Sequence, residues 1–209
     1  HPQKDMSWKT ALSDPLLADK AKQAFNKEVD SLTKVREHQK DPILLILEPT
    51  HERYNLARQE AINCRVLLDV KRDGTVKARI VKQGFRESKE GEGNISAHVV
   101  SREALNILLA THNPSKYTLA SLDVATAFLQ SNPFTEGKVK YCKYTNPISN
   151  KLVYCMQFGP LYGERSAPIR WEETISTFVT ELHQDPKFKL KEGNIGISIH
   201  TFLRGHNDP

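Results

Sequence analysis

The chain has 209 residues, 38% of them hydrophobic and 26% charged, with 30 Lys and Arg against 25 Asp and Glu for a formal charge of +5. That length supports one or two domains with a real core, and the composition is that of an ordinary globular protein rather than a fibrous or low-complexity chain. No apolar run approaches the roughly 20 residues of a membrane span, and cysteines 64, 142 and 155 read as reduced intracellular thiols rather than a disulfide framework or a zinc set.

The basic excess mildly favours an anionic partner such as nucleic acid. No signal peptide is visible and the first residue is His1, so a processed product or a fragment is expected. Asp14-Pro15 starts a helix, a cap residue followed by proline in the first turn. Leu17, Ala21, Ala24, Phe25, Val29 and Leu32 then recur at helical spacing, which predicts an amphipathic helix over 15–35. Lys20, Lys22, Lys27 and Lys34 fall on its wet side, where a solvated face explains them more simply than a basic patch does. Asp41-Pro42 breaks the pattern, 43–47 is a short apolar run read as a buried strand, and Pro49 stops it. The polar stretch 50–63 is ambiguous between a loop and a helical turn.

A hairpin follows. Val66-Leu67-Leu68-Asp69-Val70 is strand-like, Asp73-Gly74 is a tight-turn dipeptide, and 75–81 returns as a second strand. Lys71, Arg72, Lys77, Arg79 and Lys82 crowd it, and side-chain alternation puts Lys77 and Arg79 on one face. Two cations so placed suit a polyphosphate, and equally suit a charged outer face. Residues 87–94 read as a polar loop. Ser101 caps a helix whose stripe is Ala104, Leu105, Leu108 and Leu109, ending before Asn113-Pro114.

The stretch Ser121-Leu122-Asp123-Val124-Ala125-Thr126-Ala127-Phe128-Leu129 sets one acid in an apolar strand that runs on into Phe128-Leu129. A buried carboxylate needs a cation, a metal or hydrogen-bond donors, unless it is simply a strand-end or cap residue. Asn132-Pro133 is a turn, and 138–144 and 152–158 read as two strands joined around Asn146-Pro147. Gly159-Pro160-Leu161-Tyr162-Gly163 is a tight segment in which glycine permits close backbone approach. Pro168 then starts a long helix with Trp171, Ile175, Phe178, Val179 and Leu182 on its core stripe, and alternating Ile195, Ile197 and Ile199 suggest one more strand.

Three of these segments, in this order, resemble copia-type retrotransposon reverse transcriptases. The run Val70 to Phe85 resembles their fingers segment, Leu122 to Leu129 their first catalytic palm motif, and Leu161 to Trp171 their nucleotide- and template-positioning motif. The resemblance implies an α+β fold: right-hand polymerase fingers and a partial palm, with an antiparallel sheet packed on helices. It divides the chain into a lead-in over 1–63, a fingers-like region over 64–115 and a partial palm over 116–209. It implies RNA-directed DNA synthesis on a template-primer with deoxynucleoside triphosphates, assisted by two Mg²⁺ ions that stabilise the attacking and leaving oxygens. Carboxylates suit that role because hard Mg²⁺ prefers oxygen.

By the same resemblance Asp123 would be a metal-bridging catalytic carboxylate and the Val124 carbonyl a neighbouring metal ligand. Lys71 and Arg79, with Lys77 left open, would hold the triphosphate. Phe128 would exclude a ribose 2′-hydroxyl, and Tyr162 and Gly163 would line the floor beneath the nascent base pair. The remainder of a polyprotein, integrase and RNase H included, is the expected partner. No membrane association is expected, and the location is intracellular, in a cytoplasmic particle or the nucleus. The chain departs from the family in three ways. It holds no Asp-Asp pair, so the two-metal site is incomplete and the isolated chain is expected to be inactive. It has Arg165-Ser166 where the family often carries Lys-Gln, and between Gly91 and Ser101 it lacks the usual Phe-Ser-Pro-Val-like run. A non-catalytic nucleic-acid-binding remnant of a decayed element is the alternative.

Overall fold

The computed structural model describes residues 4–37, 39–87, 97, 101–111, 113, 124–135 and 138–184. Two helices open the chain, α1 (Trp8–Ser13) and α2 (Ala18–Thr33). Strand β1 (Leu44–Ile46) and helix α3 (Tyr54–Glu60) follow, the helix resolving the ambiguous 50–63 stretch. The hairpin is β2 (Ile62–Val70) and β3 (Val76–Lys82), in register from Cys64↔Lys82 to Val70↔Val76. Its turn has Gly74 at φ +77 and the Asp73 carboxylate accepting the Thr75 N–H at 2.9 Å. Helix α4 (Arg102–Thr111), strands β4 (Lys140–Thr145) and β5 (Leu152–Gln157), and helix α5 (Ala167–Gln184) complete the described elements.

The five strands form one sheet in the order β1-β5-β4-β2-β3. The sheet is mixed, which corrects the antiparallel expectation. β2 runs parallel to β4 over Ile62↔Cys142 and Asn63↔Lys143, and every other pairing is antiparallel. Beyond Asn63, among the described residues, the N-terminal segment rather than a strand takes the β4 side of β2. The Leu68 carbonyl accepts the Met6 N–H at 2.7 Å and the Val66 carbonyl accepts the Trp8 indole N–H at 2.7 Å.

α2 lies on the hairpin through Ala21, Phe25 and Leu32. These residues join Ala11, Leu68, Ala78, Ile80, Tyr144, Leu161 and all three cysteines in one core cluster. Helices α1 and α2 of the lead-in and strands of both later segments thus share this cluster, while α3 packs on β4 and β5 in a second, smaller one. Trp8, Phe25 and Tyr144 meet edge to face at 5.9 and 6.2 Å, the favoured geometry for aromatic quadrupoles. The cysteines are free and buried. Contact with the Cys142 thiol, together with burial, pushes the Cys64 thiol well up, and all three side chains pack in the core as small hydrophobes.

Three further expectations are corrected. The 43–47 run is buried only in part: Ile43, Leu44 and Leu47 are in the core, but β1 is an edge strand and Leu45 and Ile46 are 39% and 38% exposed. Leu105 and Leu109 of the α4 stripe are not buried, at 42% and 49% exposed, although Ser101 caps the helix through the Ala104 N–H as expected. Phe178 of α5, assigned to the core by spacing, is 52% exposed. Spacing shows that a face is apolar; it does not say what covers the face. The 195–199 strand expectation lies outside the described residues.

Candidate functional site

β3 is an edge strand, and what satisfies its free backbone groups builds the site. The N–H groups of Ile80 and Lys82 point away from β2. Glu28 of α2 accepts the first at 3.0 Å, and the Tyr162 carbonyl accepts the second at 2.7 Å. Tyr162 bridges Val81 in parallel, and the Gly84 N–H reaches the Gly163 carbonyl at 3.2 Å. The tight segment expected from its glycines is therefore bridged to the hairpin at Tyr162, and so covers part of an edge that would otherwise invite aggregation. Gly163 sits at φ +78, where a Cβ would press on the Lys82 carbonyl oxygen. A Cβ on Gly84 would press on the Gly163 carbonyl oxygen.

Behind the turn lies a set of charges, buried except for the half-exposed Lys140, that sequence reasoning missed. The Lys82 ammonium, fully buried, lies 2.7 Å from Glu87, 3.9 Å from Glu164 and 2.9 Å from the Gln157 amide oxygen. Lys140 pairs with Glu164 and lies 3.2 Å from Glu87. The Gln157 amide nitrogen donates to Glu164 at 2.6 Å and to the Gly159 carbonyl at 2.8 Å. Glu164 also accepts the Leu161 N–H at 3.2 Å, and Glu87 the Arg165 N–H at 3.5 Å. Two cations face two carboxylates, so the desolvated group is neutral overall, which is what makes it tolerable. Lys140 and Arg170 each stand over the Phe134 ring, at 5.0 and 5.1 Å, and so link this set to α5. In sequence these residues lie up to 82 positions apart, from Lys82 to Glu164, and nothing local marks them.

Burial raises the Glu87 carboxyl, but hydrogen bonding and charge from Lys82 and then Lys140 outweigh it, and the net shift is downward. A carboxylate held below its unfolded range stabilises the fold above that range and loses the contribution as pH falls through its folded value. Stability is therefore expected to hold from neutral pH to about 5 and to fall below about 4. Urea midpoints taken across that interval check it, and an unchanged midpoint at pH 3 would contradict it.

The residues singled out by sequence divide as follows. Phe128 and Tyr162 are brought together, ring centroids 6.3 Å apart and edge to face. Phe128 lies on a 3-10 turn, Ala127–Gln130, entered through Thr126 at φ 54. This corrects the expectation of a strand running into Phe128-Leu129. Val124 is 39% exposed, and Asp123 lies outside the described residues. Arg79 pairs with Asp69 at 2.7 Å across the hairpin. Lys71 and Lys77 stand exposed beside the turn, close enough that the charge of Lys71 is the main cause lowering Lys77.

Burial and then the nearby Glu28 charge raise the Tyr162 hydroxyl, with Arg79 and Arg36 opposing. Glu28 and Arg36, from α2 and the segment just after it, are thus neighbours of the candidate site that sequence reading did not find. Among the described residues no group of three or more His, Cys, Asp or Glu could hold a metal ion. No helix among those residues is long and apolar enough to cross a membrane.

Residues 58–206 match the family described as reverse transcriptase (RNA-dependent DNA polymerase). The Ty1-NL2 and Ty1-DR4 Gag-Pol polyproteins of Saccharomyces cerevisiae are each 25% identical over 160 residues, 76% of this chain and 9% of the relative. The TyH3 Gag-Pol polyprotein of the same yeast is 25% identical over 160 residues, 8% of its length. The chain thus spans under a tenth of these curated relatives. No solved structure matches it.

Proposed function

Because the chain belongs to the reverse transcriptase (RNA-dependent DNA polymerase) family, in its copia-type branch, we propose that it forms the fingers and part of the palm of a retrotransposon polymerase, and that the turn docked on β3 is the floor of a nucleotide site. The observation that carries this reading is convergence. The Tyr162-Gly163 turn bridges Val81 of the basic hairpin and its Tyr162 ring stands against Phe128, so three separate segments are joined through Tyr162. Tyr162 and Gly163 would underlie the nascent base pair, and Phe128 would exclude a ribose 2′-hydroxyl. Lys71 and Lys77 would meet the phosphates with least competition, since Arg79 already neutralises Asp69. Template-primer and deoxynucleotides are the substrates in this reading, and the rest of the polyprotein, integrase and RNase H included, is the partner.

Asp123 and the Val124 carbonyl would supply one side of a divalent metal site. One carboxylate does not position two metals, and the 209 residues contain no Asp-Asp pair. The chain alone is therefore expected to bind primer-template without extending it. Anisotropy of a labelled RNA–DNA duplex should show affinity falling with salt as phosphates release counterions. Lys71→Ala/Lys77→Ala should lower that log–log slope by about 2. Salt-independent binding, or none, would remove the nucleic-acid site, and primer extension with Mg²⁺ would overturn the inactivity. The alternative reading is a non-catalytic binding remnant. In that case Asp123→Ala leaves Mg²⁺-dependent binding unchanged.

A further inference from the structure

We infer that Glu164 is a positioning residue: its buried carboxylate ties the Leu161–Gly163 turn to β5 while β3 holds the other side, and so sets where the Tyr162 ring stands against Phe128. The significance of that ring for nucleotide binding rests on the function proposed above; the positioning itself does not. The turn is gripped at both ends. Gln157 holds the Gly159 carbonyl, Glu164 holds the Leu161 N–H, and Glu87 holds the Arg165 N–H. Between these points Tyr162 and Gly163 give their carbonyls to Lys82 and Gly84.

Glu164 is the member that serves both jobs. One oxygen takes Lys140, and the other takes the Gln157 amide and the turn's own N–H. An apolar side chain would fill the same fully buried volume without the cost of desolvating a charge. It would neither accept the Leu161 N–H nor orient Gln157, whose carbonyl in turn holds Lys82. A buried ionic group retained despite that cost is best understood through the register it imposes. Here the register is that of a turn whose next residue carries the ring facing Phe128.

The test labels the full chain with 3-fluorotyrosine and follows Tyr162 by fluorine-19 NMR, its resonance assigned by loss in Tyr162→Phe. Phe128→Leu gives the shift of a Tyr162 ring that has lost its aromatic neighbour. In the charge-balanced double variant Lys82→Met/Glu164→Leu the chain should still melt cooperatively near the wild-type temperature. The Tyr162 resonance should move at least as far as in Phe128→Leu, or broaden. Glu164→Gln, which keeps the shape and one acceptor, should move it less and in the same direction.

A folded double variant with Tyr162 at its wild-type position overturns the inference. If the double variant does not fold, an unmoved resonance in Glu164→Gln overturns it. A fluorescent deoxynucleotide, mant-dATP with Mg²⁺, should bind the folded double variant about tenfold more weakly. A wild-type chain that binds no mant-dATP, yet whose Tyr162 resonance responds as stated, upholds the positioning role and counts against the nucleotide site.

Discussion

Lys82→Met is expected to cost about 3–5 kcal/mol, the range for removing one partner of a buried ion pair. The methionine fits the space, so packing is not the source of the loss. Lys82 has no exposed side-chain surface, and its partners Glu87 and Glu164 are 6% and 0% exposed. Without its charge, two buried carboxylates share only Lys140, which is 38% exposed. The Gln157 amide oxygen loses its donor as well, and an unsatisfied buried acceptor adds to the penalty. Since a domain of this size is stable by only about 5–15 kcal/mol, the variant should lose a large share of its stability. Urea unfolding followed by circular dichroism reads this directly. A midpoint within error of wild type would mean that the four charges are not coupled as the geometry requires. Adding Glu164→Leu restores neutrality and should recover most of the loss.

Gly163→Val should be the second most damaging change, by a different mechanism. At φ +78 a side chain other than glycine costs about 1–2 kcal/mol. A side chain at this position also meets the Lys82 carbonyl oxygen and the Val81 side chain, so the turn must lift off β3 or the strand must shift, at about 1–3 kcal/mol more. Gly74 is the internal control. Its φ is nearly the same, +77, but nothing lies within 4 Å of a Cβ there. Gly74→Val should therefore show the backbone cost alone, and the difference between the two variants isolates the close approach. Equal losses at the two positions would show that the turn does not press on β3 as described. Because Gly163→Val should also free Tyr162 from its place beside Phe128, its fluorine-19 signal is expected to shift even in whatever fraction stays folded.

The elements legible in the sequence were those with a local cause. Asp73-Gly74 announced the hairpin because only a glycine sits easily at a positive φ in that turn. The recurrence of Ala21, Phe25 and Leu32 announced α2 because those positions share one helical face. The order of three motifs was enough to indicate the family, and the glycines at 159 and 163 marked a place of close approach, although not what approached. Where burial had to be guessed from spacing alone, the guesses failed at Leu105, Leu109 and Phe178. Asp123, on which the catalytic reading turned, lies outside the described residues.

By itself, then, the sequence determined the hairpin, helices α2, α4 and α5, and the family, because each is written in neighbouring positions or in a recognisable order. Only the tertiary structure decided that β2 runs parallel to β4, that Arg79 is engaged by Asp69, and that Lys82, Glu87, Lys140, Gln157 and Glu164 come together in one set behind the turn. The physical reason is that a charge's fate depends on its solvation and on partners brought from distant segments. A lysine on a strand reads the same in sequence whether it faces water or two carboxylates, and only the packing of β3 against β4, β5 and the turn makes Lys82 the second.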